Sequence, residues 1–309
     1  MEKFNHTVTK FILVGFTRDP GMQLVLFALF LMVYSVTVVG NITLIVIICT
    51  GSRLHTAMYF FIGNLSFLDL WYSTVYTPKI MVTCISEDKS ISFAGCVTQF
   101  FFSGGLAYTE CYLLVAMAYD RYMAISKPLL YAQVMTPRVC VGLVAASYLG
   151  AFGISGIVTH ETFTMSFCGD GVIDDFFCDL PPLLKLACEV KASYQIFLYF
   201  VLASNVLTPI VLILASYLFI IVAILKIRST QGRLKAFSTC SSHLISVTLY
   251  FGSILYIYYR PKSSYSLQRD KFVSLFYTVI FPMLNPMIYS LRNKDVKETV
   301  RKLLKMAAS

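Results

Sequence analysis

Two carboxylates, Asp69 and Glu110, interrupt otherwise apolar stretches of helix length. An ionised side chain inside a bilayer is costly, so both must face other protein groups. Such a pair can share a proton or offer hard oxygen ligands to a cation. An aspartyl catalytic dyad is a third reading, but no activated-water or lid signature accompanies it. A structural site holding a proton or a sodium ion is favoured. Asp120-Arg121-Tyr122 closes another apolar stretch. Alone, a triplet of this kind marks only where a membrane stops. His243 has no second ligand type beside it and reads as a hydrogen-bonded helix contact. Cys168, Cys178 and Cys188 follow one another among acids, and with Cys96 they allow three disulfide pairings. Metal-ligand spacing is absent there, since no histidine follows these cysteines within the loop and none shows a C-x₂-C spacing.

The elements that must position these groups are membrane spans. Of 309 residues, 57% are hydrophobic and 13% charged, against about 25% charged in soluble domains. A spanning helix needs about 20 apolar residues. The uncharged runs Pro20–Ser52, Val139–His160, Ala192–Leu225, Ala236–Tyr259 and Phe272–Leu291 qualify. Leu54–Pro78 and Ser90–Tyr119 also qualify, each broken by one of the two acids. The predicted fold is an all-α membrane protein, a seven-transmembrane helix bundle with a short amphipathic helix after the seventh span. One unit covers 1–309, with residues 1–22 extracellular and 292–309 cytoplasmic. That orientation follows from a modest excess of Lys and Arg in the inner segments. The net charge of +9 then belongs to a surface facing anionic lipids, not nucleic acid. No cleavable signal is apparent, and the first span is expected to act as the anchor.

Along the chain, Asn5-His6-Thr7 is a glycosylation sequon on the expected outer face. Asn41 needs a partner on a neighbouring helix. Pro78 should kink or end the second span. Ser103, Ala107, Glu110 and Leu114 recur at helical spacing and define an inward stripe of the third. Asn205 and Pro209 free backbone groups midway along the fifth. Asn285-Pro286 makes the seventh deformable, the asparagine serving the freed groups. Val296, Val300, Leu303 and Leu304, with Lys and Arg around them, suit a helix lying on an anionic leaflet. No P-loop, dinucleotide fingerprint, H-E-x-x-H or G-x-S-x-G is present, so enzyme readings lose support.

Four segments together carry a resemblance: LHTAMYFFIGNLSFLDL, MAYDRYMAIS, KAFSTCSSH and PMLNPMIYSLRN. In this order on seven spans, the chain resembles a rhodopsin-like G-protein-coupled receptor and, within that class, the odorant receptors. The resemblance implies that Asp120 and Arg121 form a charge pair holding the resting state. It implies that Tyr122 and His243 belong to the same coupling region. Tyr217 and Tyr289 would meet near Arg121 once span six swings outward, a motion that the Asn285-Pro286 hinge serves. Asp69 and Glu110 match buried acids that bind a cation, and the implied disulfides are Cys96–Cys178 and Cys168–Cys188, with Cys96–Cys188 as the alternative pairing. Departures from the pattern are Ala57 for proline, Ser126 for cysteine and Asp175 for a common histidine. Tyr250-Phe251-Gly252 stands for Phe-Tyr-Gly, so the relay hydroxyl is missing at Phe251. Trp71 is the single tryptophan.

The functional expectation is a receptor for a small volatile or apolar molecule, coupled to a stimulatory, olfactory-type G protein and cyclic AMP at the plasma membrane. No cofactor is expected beyond a sodium ion. The expected pocket combines Ser103, Gly104, Ala107, Tyr108, Val201, Asn205, Phe251, Leu255, Tyr258 and Thr278. Ser103 stands where amine receptors place aspartate, so an amine anchored on span three is disfavoured. The alternatives are a receptor for a non-odorant ligand and a small ion-coupled transporter. The odd span count without internal symmetry weighs against the transporter.

Overall fold

A computed structural model describes residues 9–15, 17, 19–168, 170–258, 267–290 and 296–301; the side chains of Lys235, Thr239, Tyr258 and residues 267–270 lie outside that description. Asn5 and the tail beyond 301 lie outside it as well.

Six helices are long and apolar enough to cross a membrane among the described residues. They are span one Pro20–Thr50, span three Phe93–Ser126, span four Pro137–Phe163, span five Ala192–Leu225, span six Thr230–Ile257 and span seven Lys271–Ser290. Span two, Ala57–Ile85, completes a seven-helix bundle. It carries Asp69 and many hydroxyls, and those polar groups are turned inward: Ser66, Asp69, Ser73 and Thr77 are all buried.

Local chemistry sets the helix starts. Asp19 accepts the Met22 N–H at 3.3 Å and Pro20 follows it, an N-cap with proline in the first turn. Ser92 caps span three through Gly95 N–H at 3.1 Å. Thr136, before Pro137, caps span four. Pro78 does not end span two, which continues to Ile85.

Pro286 lies within span seven, so the carbonyl four residues earlier loses its intrahelical donor. The expectation that Asn285 serves it is corrected. Asn41 Nδ2 of span one donates to Pro282 O at 3.0 Å, while Asn285 turns to Asp69. Spans one and seven are thereby joined across the freed group.

A three-stranded sheet was not foreseen. It has the order β2-β1-β3, from Lys10–Leu13 (β1), Ser90–Ser92 (β2) and Val172–Ile173 (β3). Phe11 pairs with Ile91 in the antiparallel ladder and Ile12 with Val172 in the parallel one. Phe11 and Leu13 alternate with exposed residues and are fully buried, the period-two pattern of a half-covered strand. The sheet closes one end of the bundle, hereafter the sheet end; Asp120 lies toward the other. Lys271, at the start of span seven, donates to Asp174 Oδ1 at 2.6 Å and to Gly15 O at 3.1 Å. That lysine fastens the first strand's exit, the loop and span seven together.

At the Asp120 end, residues 296–301 are helical. The leaflet-facing reading of this segment is corrected at Val296, which is buried in the main core with Val300 packed against it. A Cβ at Gly51 would meet Ile47 O at 2.9 Å and Thr299 Cγ2 at 3.0 Å, so glycine lets the segment approach. Arg53 and Glu298 add an exposed ion pair at 2.9 Å, worth little on its own.

Candidate functional site

Near the sheet end the bundle encloses a cavity of about 80 Å³, well below the several hundred Å³ of drug-sized sites. Span three supplies Phe100, Ser103, Gly104, Ala107, Tyr108 and Cys111. Ser155 and Val158 come from span four, Tyr72 and Tyr76 from span two, and Asp179 and Leu180 from the loop. Leu202, Val206, Ile254 and Tyr277 complete it from spans five, six and seven. Glycine at 104 and 105 permits this close packing, since a Cβ would meet Ser155 Oγ at 2.8 Å or the Phe152 ring at 2.7 Å.

Ser103, Gly104, Ala107 and Tyr108 thus stand in the wall, as the stripe on span three suggests. The residues chosen on spans five to seven do not. Val201 packs with Tyr194 and Leu198 toward the loop. Asn205 accepts the Tyr112 hydroxyl and donates to Val201 O. Phe251 is buried in the main core, with Leu255 packed against it, and the Thr278 hydroxyl donates to Ser274 O. Tyr258's side chain lies outside the described residues.

Val201, Asn205, Leu255 and Thr278 each miss the lining by one residue, and Phe251 misses it by three. Ala203–Leu207 and Phe276–Ile280 are π turns. The extra residue in such a turn advances the inward face by about 100°. On span six, the Tyr250 hydroxyl donates to Ala107 O at 2.7 Å. That bond turns residues 250 and 254 toward span three. The hydroxyl missing at Phe251 is therefore present one position earlier, anchored on a residue of the cavity wall.

Deeper in the bundle, Asn285 Nδ2 donates to Asp69 Oδ2 at 2.9 Å and Ser246 Oγ to Asn285 Oδ1 at 3.3 Å. Glu110 lies within electrostatic reach of Asp69. Asp69 Oδ1, both Glu110 oxygens and Asn41 Oδ1 are buried acceptors with no hydrogen-bond partner among the described residues. A set of oxygens lacking donors fits a hard cation or added protons, and would otherwise be costly. No group of three or more His, Cys, Asp or Glu is gathered as a metal site among the described residues.

At the Asp120 end the implied charge pair is corrected. Asp120 Oδ1 accepts the Tyr131 hydroxyl at 2.7 Å, and no ion pair joins Asp120 to Arg121 among the described residues. Arg121 Nε and the Tyr289 hydroxyl are buried without partners among those residues. Tyr122 packs against Phe219 of span five, ring centroids 5.9 Å apart. His243, fully buried, has Nε2 3.0 Å from Leu114 O and Nδ1 2.7 Å from the Tyr217 hydroxyl. A carbonyl only accepts, so Nε2 carries the proton and Nδ1 accepts from tyrosine. This one ring ties spans three, five and six together.

The loop between spans four and five is held by Cys96–Cys178 and Cys168–Cys188, the pairing that the resemblance implies. Within it Asp175 is buried and accepts Phe176 N–H at 2.8 Å. Burial pushes its carboxyl up to about 7; the nearby Asp179 and Asp174 charges add to this, while the Phe176 N–H and Lys271 oppose it. A carboxyl raised on folding stabilises the fold at a pH below its unfolded value, and that stability is lost as pH rises through the folded value. The sheet end should accordingly loosen between about pH 4 and pH 7. Thermal unfolding of the purified protein is expected to occur at a lower temperature at about pH 8 than at about pH 5, by an effect of a few kcal/mol at most. Asp175→Asn should flatten the difference; an undiminished difference in that variant would contradict the assignment.

Comparison with known proteins places these features in context. Residues 30–306 match the family model described as olfactory receptor. The chain is 72% identical over 305 residues to Olfactory receptor 9G19 of Mus musculus, covering 99% of this chain and 100% of that one. It is 71% identical over 304 residues to Olfactory receptor 9G1 of Homo sapiens, covering 98% and 100%. Identity to Olfactory receptor 9G4 of Homo sapiens is 58% over 303 residues, covering 98% and 93%.

Proposed function

The chain belongs to the olfactory receptor family, and from that premise we propose that it binds a small volatile or apolar odorant and activates a stimulatory, olfactory-type G protein, raising cyclic AMP. As a family member it is a multi-pass membrane receptor and not an enzyme. The observation that carries the finer reading is a division of labour along the bundle. A mostly apolar cavity sits under the disulfide-held loop. At the far end a buried network joins spans three, five and six. Both disulfides lie at the sheet end, which supports placing that end and the N-terminus outside the cell, where disulfides persist.

In the proposed mechanism the ligand shifts the bundle only by binding one arrangement better than the other. In the resting arrangement Tyr217 is engaged by His243, and Tyr131 holds Asp120. Outward movement of span six breaks the His243 bonds. Tyr217 and Tyr289 then become available to Arg121, and the cleft that opens receives a helix of the G-protein α-subunit. Asn285-Pro286 and the bond from Asn285 to Asp69 carry the change between the two ends.

Asp69 and Glu110 are proposed to hold a sodium ion in the resting arrangement, which would supply positive charge to oxygens that lack donors. The purified receptor should then unfold at a higher temperature in sodium chloride than in N-methylglucamine chloride, and Glu110→Gln should remove the gain. Equal unfolding temperatures in the two salts would count against the ion. The receptor reading itself is tested by a panel of volatiles applied to cells expressing the full chain, with cyclic AMP as the readout. Silence across a broad panel, at surface levels matching a responding receptor, would oppose it.

A further inference from the structure

Span three has no acid in its sheet-end half, yet the cavity contains one. Asp179 stands in the wall, delivered by the loop. Its position is fixed from several directions. Cys178, immediately before it, is bonded to Cys96 and donates its N–H to Gln99 Oε1 at 2.9 Å. Gln99 in turn donates to Val75 O of span two at 3.1 Å. Asp179 Oδ1 accepts Leu180 N–H at 2.8 Å, and Oδ2 accepts the Tyr277 hydroxyl at 3.2 Å. Each carboxylate oxygen can accept more than one hydrogen bond. A carboxylate held this way needs little reordering when a ligand arrives, which preserves affinity.

The surroundings point the same way. Tyr72, Tyr76, Tyr108 and Tyr277 share the wall with Asp179, and the lining includes no Lys, Arg or His among the described residues. The charge of Asp179 reaches the Tyr76 and Tyr108 side chains across the space. Aromatic faces are electron-rich and attract cations. A carboxylate among aromatic faces is the environment that an organic ammonium recognises and an organic anion avoids.

We infer that the cavity accepts a short aliphatic amine in its protonated form, its ammonium paired with Asp179 and its carbon chain packed among the tyrosines. The inference deepens the receptor reading by naming the ligand class of the same cavity, and rests on that reading only for its signalling consequence. The loop supplies the anchor that Ser103 on span three does not. A carboxylic acid of equal length would bring like charge to Asp179. The matching alcohol could donate a hydrogen bond there without the charge.

The test uses the full-length receptor purified into lipid nanodiscs, with thermal unfolding followed against rising concentrations of n-pentylamine, 1-pentanol and pentanoic acid at about pH 7 and constant ionic strength. Pentylamine should stabilise saturably at roughly tenfold lower concentration than pentanol, and pentanoic acid should not stabilise. Asp179→Asn should bring the amine down to the level of the alcohol, while Asp179→Glu should keep the preference. If the Asn variant does not fold, the ranking of the three probes on the native chain and the Glu variant still decides. Equal stabilisation by acid and amine would overturn the inference, as would an amine preference that survives in Asp179→Asn. Cyclic AMP measured in parallel separates the two claims. Amine binding without signalling opposes the receptor reading and leaves the ligand class standing; signalling by acids but not amines does the reverse.

Discussion

Cys178→Ser should remove most folded receptor from the cell surface and leave the remainder unresponsive to any volatile. The Cys96–Cys178 bridge spans 82 residues of sequence. Closing a loop of that size restricts the unfolded chain by about 4 kcal/mol in the chain-entropy account. That is a large fraction of the stability of an ordinary domain. The bridge also positions function, because Asp179 and Leu180 of the cavity wall follow directly after it. Gln99 holds the same point by accepting the Cys178 N–H. Surface labelling of an N-terminal tag, compared between Cys178→Ser and Cys168→Ser, measures the effect. The second bridge closes only 20 residues and contributes no residue to the cavity, so its loss should be the milder. Equal surface levels of Cys178→Ser and the native chain would contradict this account.

His243→Ala should raise cyclic AMP in the absence of ligand. The imidazole makes two buried hydrogen bonds, to Leu114 O on span three and to the Tyr217 hydroxyl on span five. Each is worth about 1 kcal/mol net, so their joint loss shifts the balance between the two bundle arrangements by roughly tenfold to thirtyfold. Leu114 O is left without that side-chain donor, and Tyr217 retains only a long contact to Cys240 O at 3.5 Å. Tyr217→Phe removes one of the two bonds and should raise the basal level less. Basal cyclic AMP normalised to surface receptor is the measurement. A basal level at or below that of the native chain in His243→Ala would show that the ring serves the active arrangement instead.

The seven spans were legible because lipid forces apolar runs of a fixed length, and single charges within them still marked an inward face. The family was legible from four motifs in order. Features that depend on contacts between distant segments were not. Lys10–Leu13 is too short to announce a strand, and its partners lie about 80 and 160 residues away. Asp179 looked like one loop acid among several; only the fold carries it into the cavity. The lining positions Val206 and Tyr277 lie within π turns that shift the helical face, and a periodic pattern contains no sign of the shift. The partner of Asp120 was misjudged because Arg121 is adjacent in sequence, whereas neighbouring residues on a helix point in different directions. Tyr131, eleven residues on, lies in the short helix Pro128–Val134 that turns back beneath span three. Asn41 could be read as needing a partner, but the carbonyl freed by Pro286 could not be named without the crossing of spans one and seven.

The central claim is that a ligand at the sheet end is reported through the buried groups at the Asp120 end, with Arg121 as the group that Tyr217 and Tyr289 engage once the His243 bonds break. It is tested most directly by comparing the native chain with Arg121→Ala at matched surface levels, using whichever volatile raises cyclic AMP in the native chain and measuring both binding to nanodisc receptor and cyclic AMP in cells. The account predicts that Arg121→Ala keeps ligand binding, because Arg121 does not line the cavity, and loses nearly all of the cyclic AMP response. A variant that binds and signals as the native chain does would contradict it.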